Sequence, residues 1–255
     1  MKRLLATGVL AALCLGGCSN LGRPQTQVAA DGEVHGDVER EAELARLLKT
    51  PAGNEPWRPF PLPGKRFSEF QLVTHESVPA LAVESEHSVS ILRRRFPGGL
   101  ASADELNFSW KVDALPEGAD LSVAGRGDAA VRLLLTFDGD MSKWSERSHR
   151  LSELSRLITG EPMPYATLMY VWSNQGDPGQ VLMHPRTDRI RNLVLESGGE
   201  HVGQWRHYRR NIRSDYVKAF GEEPGPLKSI AIMTDTDNTK SRVKAWYGPL
   251  VLSVR

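Results

Sequence analysis

From Trp57 onward, apolar and polar residues alternate in short runs at the two-residue period of a half-buried strand. In "LNFSWKV", Leu106, Phe108, Trp110 and Val112 fall on one side, and Asn107, Ser109 and Lys111 on the other. "AVRLLLTF" places Val131, Leu133, Leu135 and Phe137 on one face, and Leu134 on its second face predicts a strand covered on both sides. "TLMYVW" repeats the pattern with Leu168, Tyr170 and Trp172. Further strands are predicted over 67–74, 79–84, 88–94, 190–196, 204–209, 228–234 and 243–254. Clusters such as "NQGDPG" and "EEPGP" separate them.

Helical periodicity interrupts the strands twice. Over 145–158, Leu151, Leu154 and Ile158 share a face ahead of Gly160; over 212–220, Ile212, Tyr216 and Phe220 recur every four residues ahead of Gly221. A third helix is predicted over 37–50. Asp37 can cap it, Glu39 and Glu41 suit its positive end, Val38, Ala42, Ala45 and Leu48 approximate one face, and Pro51 stops it. The sum is an all-β, jelly-roll-like β-sandwich (galactose-binding-like) over 57–255, with two or three short helices. No repeat of 20–50 residues signals a solenoid or propeller.

The first residues carry a different pattern. In "MKRLLATGVLAALCLGGCSN", charged Lys2 and Arg3 precede an uncharged, mostly apolar run from Leu4 to Leu15, the layout of an export signal. That run is shorter than the ~20 apolar residues a membrane-spanning helix needs. "LGGC", Leu15 to Cys18, resembles the bacterial lipobox. The resemblance implies a signal peptide over 1–17, cleavage before Cys18, and acyl chains, palmitate among them, on the new N-terminus. Each buried methylene contributes about 0.8 kcal/mol of membrane affinity. Residues 18–36 then read as a polar, lipidated tether. Ser19, standing where some lipoproteins have Asp, implies an outer-membrane anchor facing the periplasm.

Composition narrows the partners. Without Lys2 and Arg3, the 32 basic residues fall to 30 against 31 acidic ones, so no field favours nucleic acid. Both cysteines, Cys14 and Cys18, lie in the first eighteen residues, which leaves the folded domain no disulfide and no thiolate metal site.

Several separated blocks carry a family resemblance: "LNFSWKVDALPEGADL", "GDAAVRLLLTFDGD", "YATLMYVWSN", "LESGGEHVGQWRHYRRNIRSDYVKAFGEEP" and "MTDTDNTKSRVKAWYGPL". In this order they resemble an uncharacterised bacterial envelope family, domain of unknown function 3047, from about Trp57 to the C-terminus. The resemblance implies an exported β domain without an assigned activity. In relatives an acidic residue often precedes the aspartate of "GDAAVR"; here Gly127 stands there and only Asp128 remains.

The candidate chemistry centres on "TDTDNT". Asp235, Asp237, Asn238 and Thr239 supply hard oxygens of the kind calcium takes, with Asp128 or Asp138 as a remote carboxylate. The loop is not an EF-hand, because Lys240 stands where glycine is needed and Trp246 where glutamate is. The same residues also suit a turn whose Asx side chains bond their own backbone, or direct ligand contact. Trp205 and Trp246 are candidate sugar contacts, with Trp144 and Tyr208 beside polar residues; Trp110 and Trp172 read as core. Asp128 and Arg132 read as an ion pair, and "RHYRRNIRSDY" as a solvated basic surface that phosphate headgroups could also meet. "ESGGEH" contains Ser197 and His201 but lacks the nucleophile-elbow spacing.

Three functions stay open: a lipid-anchored, non-catalytic module that binds a glycan or other ligand, a carboxylate-dependent hydrolase of envelope polysaccharide, and an assembly factor that binds other envelope proteins. The address they share is testable. Cys18→Ser is expected to move the protein from the membrane to the soluble fraction on cell fractionation; retention in the membrane would reject the lipobox.

Overall fold

A computed structural model of the chain describes residues 28–51 and 55–255, with burial described from Asp37 onward. Cys14, Cys18 and the export signal lie outside the described residues. The chain divides into two units, Met1–Val38 and Glu39–Arg255. Of the first, the described part is the opening of helix α1 (Val28–Leu47). Everything below concerns the second.

The elements follow in order: β1 (Leu48–Lys49), β2 (Arg58–Pro59), β3 (Gln71–His75), β4 (Val78–Glu86), β5 (Val89–Leu100), β6 (Ala103–Val112), β7 (Ala129–Phe137), α2 (Glu146–Thr159), β8 (Ala166–Ser173), β9 (Val181–Met183), β10 (Ile190–Ser197), β11 (Arg206–Asn211), α3 (Ile212–Phe220), β12 (Leu227–Asp235), β13 (Arg242–Tyr247) and β14 (Leu250–Val254). They build two seven-stranded sheets. The first runs β1-β14-β6-β13-β4-β3, with β11 on the other edge of β6; the second runs β2-β5-β12-β7-β8-β10-β9. The molecule is a β-sandwich of jelly-roll-like form.

The alternation read from the sequence decides which side chains meet between the sheets. Leu106, Phe108, Trp110 and Val112 of β6 share one core with Val131, Leu133, Leu135 and Phe137 of β7 and with Leu168, Tyr170 and Trp172 of β8. Phe108 links the layers through its ring, 5.0 Å from Trp110 and 5.8 Å from Tyr170. As the second face of β7 predicted, Leu134 packs outside this core, against Ala231 and Met233 on one side and Met169 and Val171 on the other. Tyr247 reaches from β13 to β12, donating to the Met233 carbonyl at 2.6 Å.

Several expectations are corrected. The predicted strand 243–254 is two strands, parted at Gly248 and Pro249: Pro249 has no N–H to give a ladder, and Gly248 packs so closely that a Cβ would meet Ser109 Oγ at 2.2 Å. Helix α1 begins at Val28, within the stretch read as tether; Gly32 and Gly36 had made that stretch look like a linker. Its buried residues are Leu44 and Leu47, continued by Leu48, while Val38 is 64% exposed. On α2 the predicted apolar face is turned outward: Leu154 and Ile158 are about half exposed. The buried side instead holds Ser148 and Ser152; Ser148 bonds Asp188 at 3.0 Å, and Ser152 accepts the Met163 N–H at 3.2 Å. Polar bonding, invisible to hydrophobic periodicity, decided that face. Helix α3 matches its predicted bounds, with Ile212 and Tyr216 fully buried and Gly221 closing it at φ 73°.

Candidate functional site

The loop between β12 and β13 carries "TDTDNT" from the second sheet across to the first. A crossing of this kind has no hairpin ladder, so side chains must hold it. Asp128, just before β7 and 1% exposed, does most of this. Its Oδ1 accepts from Asn238 Nδ2 at 2.7 Å and from Asn238 N at 3.4 Å; its Oδ2 accepts from Thr239 N at 2.8 Å and Thr239 Oγ1 at 2.7 Å. Thr236, fully buried, adds a second tie: its N–H donates to Ser88 O at 2.9 Å and its hydroxyl meets Ser85 Oγ at 2.9 Å. Lys240 then turns the chain in the left-handed region, at φ 54°.

So fastened, the loop brings Asp128, Asp235 and Asp237 together, with one oxygen of each within 4.8 Å of the others. Asp235 faces Arg132 Nη1 at 3.6 Å, and Asp237 bonds the Lys65 ammonium. The Asp128–Arg132 pair read from "GDAAVR" is therefore corrected. Arg132 faces Asp235 and donates to the Gly127 carbonyl, while Asp128 is occupied by the loop. Asp138 is remote from the group: it pairs with Lys228 at 3.8 Å.

Calcium fits this donor set poorly. Both oxygens of Asp128 already accept N–H or O–H donors, Asn238 and Thr239 act as those donors and not as ligands, and Asp235 and Asp237 each face a cation. The electrostatics favour a proton instead. Burial raises the Asp235 carboxyl to about 8; Arg132 opposes the shift, and Asp128 and Asp237 reinforce it. Burial also acts to raise Asp128, but bonds from Asn238 and Thr239 outweigh it and hold that carboxyl below its ordinary value.

Asp235, Asp237 and Asn238 form one wall of a cavity of about 310 Å³ on the outer face of the second sheet. Lys65, Arg132, His184, Arg186 and Asn192 also line it. Burial, followed by the fields of Arg132, Arg186 and Arg147, lowers His184 to about 4. An adjoining cavity of about 510 Å³ continues along the same face and shares Leu62, Met169 and Ile190 with the first. Ile91, Leu134 and Ala231 contribute apolar surface to it, with hydroxyls from Thr136, Thr167 and Ser229. At its edge Arg93 lies 3.9 Å from the Phe60 ring centre and grips Glu161 through two bonds of 2.8 Å.

The aromatic candidates lie elsewhere. Trp205 and Trp246 sit on the outer side of the first sheet and line neither cavity. One face of Trp246 is covered by His75, stacked at 4.2 Å and 12°. Trp144 is buried and donates to Tyr165 O at 3.1 Å; Tyr208 donates to Glu196 at 2.7 Å; Trp110 and Trp172 are core. The basic segment is neutralised arginine by arginine: Arg206 meets Glu196, Arg209 Glu105, Arg210 Asp215 and Arg213 Glu223. His201 bonds Glu196 at 2.8 Å. Lys65, His184 and Arg186 escaped the sequence reading because nothing local marks them; Lys65 stands 172 positions from its partner Asp237.

A family model described as "Protein of unknown function (DUF3047)" matches residues 55–251. The chain belongs to this family. No match is found among curated proteins. Among solved structures, the chain is similar to the xyloglucanase domain of NopAA, a type three effector from Sinorhizobium fredii, in complex with cellobiose. Identity is 11%, coverage is 81% of this chain and 96% of that one, and the TM-score is 0.41. It is also similar to mutants of a family 29 carbohydrate-binding module complexed with mannohexaose and with cellulohexaose. Both are 10% identical; coverage is 80% of this chain and 84% and 83% of theirs, with TM-scores of 0.33 and 0.32.

The two shifted groups give opposite pH signatures. Above its ordinary value of 3.8, Asp235 ionises in the unfolded chain while the folded one keeps its proton, so stability falls as pH rises toward about 8. His184 raises stability between about 4 and 6.5, because the unfolded imidazole binds a proton that the folded one refuses. From pH 6.5 to 8 only the Asp235 effect remains of the two. Asp235→Asn is therefore expected to flatten the fall in melting temperature over that window; an unchanged slope would contradict the assignment.

Proposed function

We propose that this protein is a saccharide-binding module of the bacterial envelope, held by lipid on Cys18 and binding an extended glycan along the outer face of its second sheet. The observation that carries this reading is the pair of adjoining cavities, about 310 and 510 Å³, spread over one sheet face and joined at Leu62, Met169 and Ile190. Sugars are amphipathic. Their C–H faces need apolar surface, which Ile91, Leu134, Ala231 and Met169 supply, and their hydroxyls need polar partners, which Thr136, Thr167, Ser229 and Asn192 supply. On the outer face of the first sheet, Trp246 and Trp205 instead pack with His75 and line neither of these cavities.

Binding is favoured over cleavage by where the acids stand. Glycosidase carboxylates flank the scissile bond about 5–10 Å apart. Here Asp235 and Asp237 line the polar cavity from neighbouring positions at and just after the end of β12, and the carboxylates on the larger cavity, Asp138 and Glu161, are paired with Lys228 and Arg93.

A glycan array followed by calorimetry tests the reading. Wild type is expected to bind oligosaccharides, and Thr136→Tyr, which fills the floor of the larger cavity, to weaken binding at least tenfold with an unchanged melting temperature. Equal binding by this variant would move the site off the groove.

A further inference from the structure

The polar end of the groove has a chemistry of its own. Arg132 has a side chain only 8% exposed, yet its Nε is buried with no hydrogen-bond partner while the side chain lines the cavity. Its Nη2 is held by the Gly127 carbonyl, and its Nη1 stands 3.6 Å from Asp235, beyond a good hydrogen bond. An arginine buried with donor capacity unspent is costly unless something else takes it up. Arg186, exposed on the rim of the same cavity, has no ion-pair partner among the described residues. Between them His184 accepts the Arg186 N–H on Nδ1 at 3.2 Å, which leaves Nε2 to carry the ring proton as a further donor.

Of the opposing charges, Asp237 is neutralised by Lys65, and Asp128 keeps its charge but is bonded by the loop and does not line the cavity. Asp235 keeps its proton at neutral pH because burial and two neighbouring carboxylates hold it there. At His184 the field is positive: burial first, and then Arg132, Arg186 and Arg147, keep that imidazole neutral. What remains facing the cavity is positive, donor-rich and lined on one side by the apolar Leu121, Val123 and Met169.

We infer that this end of the groove binds an anionic group, the carboxylate of a uronic-acid-type sugar, with Arg132 and Arg186 as the charged contacts and His184 and Asn192 as neutral ones. This rests on the groove reading and adds the class of saccharide to it. A carboxylate suits Arg132 because a guanidinium offers parallel N–H donors to two oxygens. A protonated Asp235 beside it supplies an O–H donor in place of a repelling charge.

Calorimetry at pH 7 with trigalacturonate, its methyl ester, cellotriose and inorganic phosphate decides the matter. Trigalacturonate is expected to bind at least tenfold more tightly than its ester. Raising salt should close much of that gap, and Arg186→Gln, a surface change, should weaken only the acidic ligand, by about three- to tenfold. Equal affinity for acid and ester would overturn the anionic assignment and leave the groove reading standing. Failure of all three saccharides to bind would overturn both. Phosphate bound as tightly as trigalacturonate would also overturn the assignment, by showing a free-anion site with no sugar selectivity.

Discussion

Four hydrogen bonds from Asn238 and Thr239 converge on the buried carboxylate of Asp128, and the placing of the loop that walls the polar cavity depends on them. The loop they hold leaves the second sheet at Asp235 and enters the first at Arg242, with no ladder of its own. Without Asp128, Asn238 and Thr239 would lose the buried acceptor that fixes their position, and bonds to a charged group contribute about 1.5–3 kcal/mol each. Fastening the loop fixes Asp235 against Arg132 and Asp237 against Lys65, which gives the cavity its wall. One carboxylate is thus spent on architecture, and two others are fixed in the cavity wall, each beside a cation.

The two sheets share a core but differ outside it. On the first, Trp246, His75, Lys111 and Glu76 pack and pair across the outer surface, and the arginines of β11 and its approach to α3 are each matched by an acid. On the second, the outer rows of β5, β12, β7, β8 and β10 carry apolar and small hydroxyl residues and stay open as a groove. The burial that makes Asp235 resist ionisation also makes Arg132 a strong donor, because both sit where water screens little.

Much of the fold was legible because alternation is a local signal. The rows Leu106–Val112 and Val131–Phe137 identify their own inner faces, and Ile212, Tyr216 and Gly221 mark α3 from start to stop. Polar packing was not legible. Helix α2 turns Ser148 and Ser152 inward and Leu154 and Leu157 outward, which no hydrophobic pattern shows, and the close approach of Gly248 to Ser109 joins residues far apart in sequence. At the site, "TDTDNT" announced itself by composition, and Asp128 could be named beside it. Lys65 and Arg186 could not. They come from loops far apart in sequence, and only the folded sheet brings them to Arg132, which could be named beside Asp128 but not given its partner Asp235. For the tryptophans the sequence could show polar neighbours but not packing: His75 stacks on one face of Trp246, a contact between residues far apart in the chain.

We propose that the outer face of the second sheet, ending at the Asp128-held loop, receives the ligand. Backbone amide shifts in the NMR spectrum, followed while trigalacturonate is added, would locate it. Perturbations are expected to trace a connected path through Arg132, Met169, His184, Arg186 and Asn238, with Trp205 and Trp246 still. Shifts centred on Trp205, Trp246 and His75 would place the site on the opposite sheet and contradict it.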